Sequence, residues 1–181
     1  MDINDIYDLP VKNISDIKLS ANWMGAVDDE FGNYELYSAV SAINNICIDC
    51  GANIGQITEL FSSYGCIVHS FEPNPFVFKI LKEKFSSMKM VNLHNSAVGI
   101  KNGECKIYLH KIYEEDPLIY SEATSLISKK NNVSKENFIF TQMINLGNFL
   151  NQFENIKILK IDIEGYETVL IPWLIKNKFL E

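Results

Sequence analysis

The segment from Cys47 to Gln56 constrains the fold more than any other, because it joins a short apolar run to two glycines. Residues 46–48, which have polar neighbours, suit a strand buried on both faces, although so short a run does not exclude a helix. The chain then turns on Gly51 and Gly55, and from Ile54 the apolar residues recur at helical spacing. Glycine lets a ligand approach the backbone, and the N–H groups of a helix N-terminus point toward it. This pattern predicts a site for a nucleoside or a phosphate-like group.

A carboxylate beyond this turn favours a nucleoside. Residues 66–71 form a second predicted strand, and Glu72 follows it, about 20 residues after Gly51. An acid in that place can accept hydrogen bonds from both hydroxyls of a ribose. A dinucleotide-binding turn would carry a glycine where this chain has Asn53, and that glycine meets the pyrophosphate. The turn therefore favours a ligand without a pyrophosphate, such as S-adenosylmethionine.

A pair of acids near the C-terminus suggests the chemistry of the site. Asp162 and Glu164 lie two positions apart at the end of the strand predicted over residues 156–163, so their side chains face the same way. Doubly wound folds bind ligands beyond this edge of the sheet. Lys160 has the same parity and could order these carboxylates by its charge. The alternative is that the pair caps the helix predicted to begin near Tyr166.

Four segments in this order resemble the motifs of FkbM-type methyltransferases: residues 49–55 (DCGANIG), 71–75 (FEPNP), 95–98 (NSAV) and 159–167 (LKIDIEGYE). The resemblance implies an α/β, Rossmann-like class I methyltransferase fold, with a mostly parallel sheet flanked by helices. It also implies S-adenosyl-L-methionine as the cofactor. The implied cofactor-binding residues are Asp49, Gly51, Asn53, Gly55, Glu72, Asn74, Ser96, Ala97 and Asp162. The implied catalytic residues are Asp162 and Glu164, and no metal-ligand set is recognisable.

The resemblance also gives each part of the site a role. Asn53 and the glycine turn would hold the methionine end, and Ser96 with Ala97 would meet the adenine. Asp162 would bind the methionine ammonium or lie near the methyl group. Glu164 would accept the proton of a substrate hydroxyl, since a hydroxyl acceptor needs a base, or would help to bind a divalent ion.

The length of 181 residues suits one domain. We expect residues 1–27 to form an N-terminal helical cover and residues 28–181 to form the Rossmann-like domain. Within that domain we expect one strand over residues 91–98, a substrate-facing irregular stretch over residues 111–140 and another strand over residues 138–144. In this stretch, Thr124-Ser125-Leu126 resembles a small-residue patch of the family.

The predicted sheet is shorter than the family's. A class I sheet usually has seven strands, whereas this sequence ends after the fourth core strand and its helix. We therefore expect a domain truncated at the C-terminus and lacking the last strands. The open edge of its sheet could be covered by a second copy, which would give a homo-oligomer.

Charge and cysteine content limit the partners and the compartment. Sixteen basic and 23 acidic residues give a net charge of −7, which argues against nucleic acid as a partner. No apolar run approaches the roughly 20 residues that span a bilayer, and the N-terminus lacks a signal pattern. Cys47 and Cys50 would lie on opposite faces of one strand, so they do not form a metal site. We expect buried thiols in a reducing compartment, a cytoplasmic location and no membrane partner.

Together these patterns predict an S-adenosylmethionine-dependent O-methyltransferase that acts on a hydroxyl of a sugar, glycan or secondary metabolite. One alternative is a nicotinamide-dependent oxidoreductase, which Asn53 and the lack of a Tyr-x-x-x-Lys pair disfavour. The other is a truncated domain that binds the cofactor or a partner chain without turnover.

Overall fold

A computed structural model describes residues 45–114, 117, 124–128 and 132–180. The helical cover predicted over residues 1–27 lies outside the described residues. The strands are β1 (Ile46–Cys50), β2 (Ile67–Phe71), β3 (Val91–His94), β4 (Ser96–Gly99), β5 (Gly103–His110), β6 (Val133–Asn145) and β7 (Ile156–Ile161). The helices are α1 (Gln56–Ser63), α2 (Pro75–Phe85), α3 (Leu146–Leu150) and α4 (Glu167–Lys176).

Four of the strands form a parallel sheet in the order β3-β2-β1-β7. Such a sheet is buried on both faces, which explains why β1 is almost uniformly apolar. Cys47 packs with Phe61 of α1 on one face, and Cys50 packs with Leu170 and Leu174 of α4 on the other. The two cysteines therefore face opposite sides, as predicted. Helices on both faces of a mostly parallel sheet confirm the α/β class.

The other three strands form a second sheet, in which β6 lies between β4 and β5. β4 is parallel to β6, and β5 is antiparallel to it. The prediction of a single strand over residues 91–98 is wrong, because Asn95 separates β3 from β4. The side-chain amide of Asn95 donates to the carbonyl oxygen of Glu72 at 2.8 Å, and the chain changes sheets at this residue.

The irregular stretch predicted over residues 111–140 is also partly wrong, because β6 begins at Val133. Residues 134–137 (SKEN) are all polar, so the first part of β6 lacks the alternation of apolar and polar residues that reveals strands in a sequence.

β1 lies between β2 and β7, so the chain leaves β1 toward one side of the sheet and returns on its other side. Doubly wound folds bind ligands at this switch point, beyond the carboxyl ends of the strands. Among the described residues, β7 is an edge strand of this sheet. Within the described ranges, no helix has both the length and the apolar character needed to cross a bilayer.

Candidate functional site

A cavity of about 230 Å³ opens at this switch point, beyond the carboxyl ends of β1, β2 and β7. It brings together most of the residues predicted from the sequence, although they come from four separate segments of the chain. The predicted residues that line it are Gly51, Asn53, Glu72, Ser96, Ala97, Asp162 and Glu164.

The turn after β1 follows a left-handed path that places backbone groups at the cavity. Gly51 has a φ of 79° and Asn53 a φ of 48°. A Cβ atom on Gly51 would overlap the carbonyl oxygen of Asp162, so only glycine allows the ends of β1 and β7 to come this close. The amide of Gly51 donates to the carbonyl oxygen of Phe71 at 3.0 Å, which ties the turn to the end of β2.

Glu72 is the most deeply placed carboxylate of the cavity wall, with 7% of the residue exposed. Its Oε2 accepts a hydrogen bond from the amide of Asn53 at 2.9 Å, and its Oε1 accepts one from the amide of Asn74 at 2.8 Å. Burial raises the pKa of Glu72 to about 7, against the opposing effect of these amides and of Lys160. A carboxylate offers about four acceptor positions, so two remain for hydroxyl donors of a ligand.

Three predicted cofactor-binding residues do not line the cavity. Asp49 is completely buried, where it accepts a hydrogen bond from Thr58 at 2.8 Å. Gly55 is the N-cap residue of α1, and a Cβ there would collide with side chains of α2. Asn74 caps α2 by accepting a hydrogen bond from the amide of Phe76 at 3.0 Å. In this structure these residues hold the turn and the helices behind the cavity in place.

Lys160 is a site residue that the predicted set lacks. Its ammonium donates to the carbonyl oxygen of Gly51 at 2.7 Å. It also lies 3.1 Å from Asp49 Oδ1 and 3.9 Å from Asp162 Oδ2. The sequence indicated that Lys160 lies beside Asp162, because positions 160 and 162 of one strand face the same way. The structure shows in addition that Lys160 joins β7 to the glycine turn.

The turn after β7 presents Asp162 and Glu164 to the cavity in an unusual backbone conformation. Glu164 has a φ of 59°, which is uncommon for a residue with a side chain. The carboxylate of Glu167 accepts hydrogen bonds from the amides of Ile163 and Gly165. The hydroxyl of Ser125 donates to the carbonyl oxygen of Glu164 at 2.7 Å. Neither Ser125 nor Glu167 was among the predicted site residues.

The charges on the cavity wall suit a ligand with a cationic part. Glu72, Asp162 and Glu164 supply carboxylates, while Lys160 is the one basic residue among the described wall residues. Among the residues that the structure describes, no cluster of three or more histidine, cysteine or acidic side chains is arranged to hold a metal ion.

The parallel sheet and this acidic cavity at its switch point define a Rossmann-like α/β class of protein. The model of the methyltransferase FkbM domain matches residues 49–174. The chain therefore belongs to the FkbM methyltransferase family, which confirms the resemblance seen in its motifs.

Other comparisons add little. A model of the FGAR-AT PurM_N-like domain matches residues 2–59, most of which lie outside the described ranges. No curated protein matches the chain. A TehB-like SAM-dependent methyltransferase from Corynebacterium glutamicum is similar over 36% of this chain, with 21% identity and a TM-score of 0.29. The match spans 34% of that solved chain, and a likeness this low supports no inference about function.

The residues present fit S-adenosylmethionine. The remaining acceptor positions of Glu72 suit two ribose hydroxyls, and the carboxylates of Asp162 and Glu164 suit the positive charges of the ammonium and the sulfonium. The wall also offers Ser96 and Ala97, a small polar and a small apolar residue, at the start of β4.

Proposed function

We propose that this chain transfers a methyl group from S-adenosylmethionine to a hydroxyl of a sugar, glycan or secondary metabolite. The observation that supports this most is that Asp162 and Glu164 line the same cavity as Glu72 and the glycine turn. Bound S-adenosylmethionine supplies a methyl group on a sulfonium. A hydroxyl becomes an effective nucleophile when a base accepts its proton, and a carboxylate in this cavity can do so.

Each wall residue has a separate task in this proposal. Glu72 accepts hydrogen bonds from the ribose hydroxyls, and Ser96 with Ala97 borders the adenine. Asp162 binds the methionine ammonium. Glu164 accepts the proton of the acceptor hydroxyl, and the hydrogen bond from Ser125 holds its backbone beside the cavity, which favours the reaction through proximity.

The experiment that tests the proposal measures binding and turnover separately. Calorimetry compares S-adenosylmethionine, S-adenosylhomocysteine and NADH. Release of S-adenosylhomocysteine is then followed over a panel of methyl glycosides and secondary alcohols. We expect binding of both S-adenosyl compounds, turnover on a member of the panel, and loss of turnover but not of binding in Glu164→Gln.

Two outcomes would contradict the proposal. Tighter binding of NADH than of S-adenosylmethionine would favour the oxidoreductase alternative, although the family match argues against it. Binding of S-adenosylhomocysteine without turnover on any hydroxyl would favour the domain that binds its cofactor without catalysis.

Compartment and assembly are part of the same proposal. The free thiols of Cys47, Cys50, Cys66 and Cys105 support a reducing compartment such as the cytoplasm.

The open edge of β7 in the described sheet supports pairing with a second copy. Light scattering at several protein concentrations tests the assembly, and a monomer throughout would contradict it.

A further inference from the structure

The carboxylate of Glu167 holds the turn that carries Asp162 and Glu164. Its Oε1 accepts a hydrogen bond from the amide of Ile163, and its Oε2 accepts one from the amide of Gly165 at 2.6 Å. Hydrogen bonds to an ionised carboxylate are shorter and stronger than those between neutral groups. Because these two amides lie on either side of Glu164 in the chain, one side chain fixes the backbone before and after it.

The backbone at Glu164 needs such support. β7 ends at Ile161, and the amide of Asp162 donates to the carbonyl oxygen of Cys50 at 3.0 Å, so the chain follows β1 as far as Asp162. Two residues later, Glu164 has a φ of 59°. A residue with a side chain keeps this left-handed conformation only when its surroundings hold it there, and such residues are concentrated at functional sites.

Ser125 holds the same turn from the other side. It is 2% exposed, and its hydroxyl donates to the carbonyl oxygen of Glu164 at 2.7 Å. The amide of Tyr108 in β5 donates to the carbonyl oxygen of Ser125 at 2.8 Å, and the amide of Ser125 donates back at 3.0 Å. The turn is therefore attached to α4 through Glu167 and to the second sheet through Ser125.

Both side chains act on the cavity from outside it. Ser125 and Glu167 are not among the residues that line the cavity, whereas Glu164 lines it together with Glu72. They can therefore affect the site only through the turn that they hold. A displacement of about 1 Å in a reacting group can lower a rate about 100-fold, so the position of this turn bears directly on catalysis.

We propose that Ser125 and Glu167 are positioning residues, which together hold Glu164 where its carboxylate accepts the proton of the acceptor hydroxyl. This inference rests on the proposed function, because it takes Glu164 as the base. It makes the second sheet part of the active site, since that sheet reaches the base through Tyr108 and Ser125.

The kinetic test separates kcat from binding. In Ser125→Ala and in Glu167→Gln we expect kcat for the best alcohol of the panel to fall about tenfold or more, because the base loses its position. KM and the affinity for S-adenosylhomocysteine should each stay within about twofold of the wild type, because neither residue lines the cavity.

Each variant has a matched control. Ser70→Ala removes a hydroxyl from a completely buried serine of β2, which pairs with the Thr58 hydroxyl at 2.8 Å and does not line the cavity. Glu59→Gln changes an acid in the first turn of α1, as Glu167 is an acid in the first turn of α4. Both controls should keep kcat within about twofold of the wild type.

Amide hydrogen exchange followed by NMR gives a readout that does not depend on turnover. Ser125→Ala should speed exchange of the amides of Ile163 and Gly165 about tenfold, although these amides are bonded to Glu167, because the two side chains hold one turn. Ser70→Ala should leave both rates unchanged, since these amides exchange through local opening of the turn.

Three results would overturn the proposal. Unchanged exchange in Ser125→Ala would show that Ser125 does not hold the turn. Faster exchange with an unchanged kcat would show that the position of Glu164 does not limit the reaction. Loss of S-adenosylhomocysteine affinity in parallel with kcat would show that the two residues support the cofactor site instead. If the wild type binds S-adenosylhomocysteine but methylates no alcohol, the proposed function fails, and the exchange rates still decide whether Ser125 and Glu167 hold the turn.

Discussion

The ammonium of Lys160 lies 3.1 Å from Oδ1 of Asp49, a carboxylate that is completely buried behind the glycine turn. Thr58 donates to the other carboxylate oxygen at 2.8 Å. A buried carboxylate is tolerated when it is paired and hydrogen-bonded, and Asp49 satisfies both conditions. Because Lys160 also donates to the carbonyl oxygen of Gly51, the same ammonium stabilises the buried acid and the turn that borders the cavity.

Replacing Lys160 should therefore reduce stability strongly. Lys160→Met leaves the charge of Asp49 buried without a cation, which should cost about 3–5 kcal/mol of unfolding free energy. Adding Asp49→Asn should restore part of this loss, since an amide oxygen can still accept the hydrogen bond from Thr58. Urea unfolding of the wild type, both single variants and the double variant measures the coupling between the two residues.

The matched control for that experiment is an ion pair on the surface. Lys84 lies 2.7 Å from Glu59, but their side chains are 35% and 58% exposed. Exposed pairs contribute about 0–1 kcal/mol, so Lys84→Met should have a small effect. Equal losses in Lys84→Met and Lys160→Met would show that the pair with Asp49 is no stronger than a surface pair.

Two glycines with the same backbone angle separate conformational strain from close contact. Gly51 and Gly65 both have a φ of 79°, so alanine at either position should cost about 1–2 kcal/mol for the left-handed backbone. At Gly65 an added Cβ meets nothing within 4 Å, whereas at Gly51 it overlaps the backbone of Asp162. Gly51→Ala should therefore lose more than about 4 kcal/mol and also lose cofactor binding. Thermal unfolding and calorimetry check both variants, and similar midpoints would contradict the close approach.

The parts of the site that the sequence predicts depend on short-range patterns. The glycine turn shows itself because Gly51 and Gly55 interrupt an apolar run. Glu72 is recognisable from its distance to that turn, and Asp162 with Glu164 from their parity on one strand. In each case neighbouring residues determine the geometry, so the pattern is readable without knowledge of the rest of the fold.

The parts that the sequence does not predict depend on contacts between distant segments. Ser125 and Glu164 are 39 positions apart, and only the folded chain shows that they are joined. Asn95 ends β3 because its amide reaches the carbonyl oxygen of Glu72, 23 positions earlier. Asp49 looked like a ligand-binding acid because it follows the strand, but its carboxylate is directed toward Thr58 and Lys160.

Glu72 should make cofactor affinity depend on pH. Burial raises its pKa from 4.5 to about 7, so in the empty protein the carboxyl is largely protonated below pH 7. Because folding raises the pKa of Glu72, this carboxyl contributes fully to the free energy of unfolding below pH 4.5. That contribution is lost as pH rises through about 7. Ribose hydroxyls donate to the ionised form, so S-adenosylhomocysteine should bind about tenfold more tightly at pH 8 than at pH 6.

Calorimetry at both pH values measures this difference in affinity. Glu72→Gln should bind weakly at both, because the amide neither ionises nor offers the same acceptors. Glu59→Gln, which changes an exposed acid on α1, should keep the full pH dependence of the wild type. A wild-type affinity that is equal at pH 6 and pH 8 would show that ionisation of Glu72 does not control binding.

The histidine pair of β2 and β3 should make the fold sensitive to acid. His69 Nδ1 lies 3.1 Å from His94 Nε2, and the ring of His94 stacks on Phe71 at 4.4 Å. Burial lowers the pKa of His94 from 6.5 to about 4, and the nearby His69 contributes a smaller part of this shift. The folded pKa is depressed, so the stability that this neutral imidazole provides is present above pH 6.5 and is lost as pH falls toward about 4.

His94→Phe keeps an aromatic ring against Phe71 and removes one titrating group. Its unfolding free energy should be lower than that of the wild type at pH 7.5, roughly by one lost hydrogen bond, or about 1 kcal/mol. Between pH 6.5 and pH 4.5 the unfolding free energy of the variant should fall less steeply than the unfolding free energy of the wild type. The reason is that the unfolded variant takes up one proton fewer. Equal slopes for His94→Phe and the wild type would mean that the buried pair does not set the acid sensitivity of the fold.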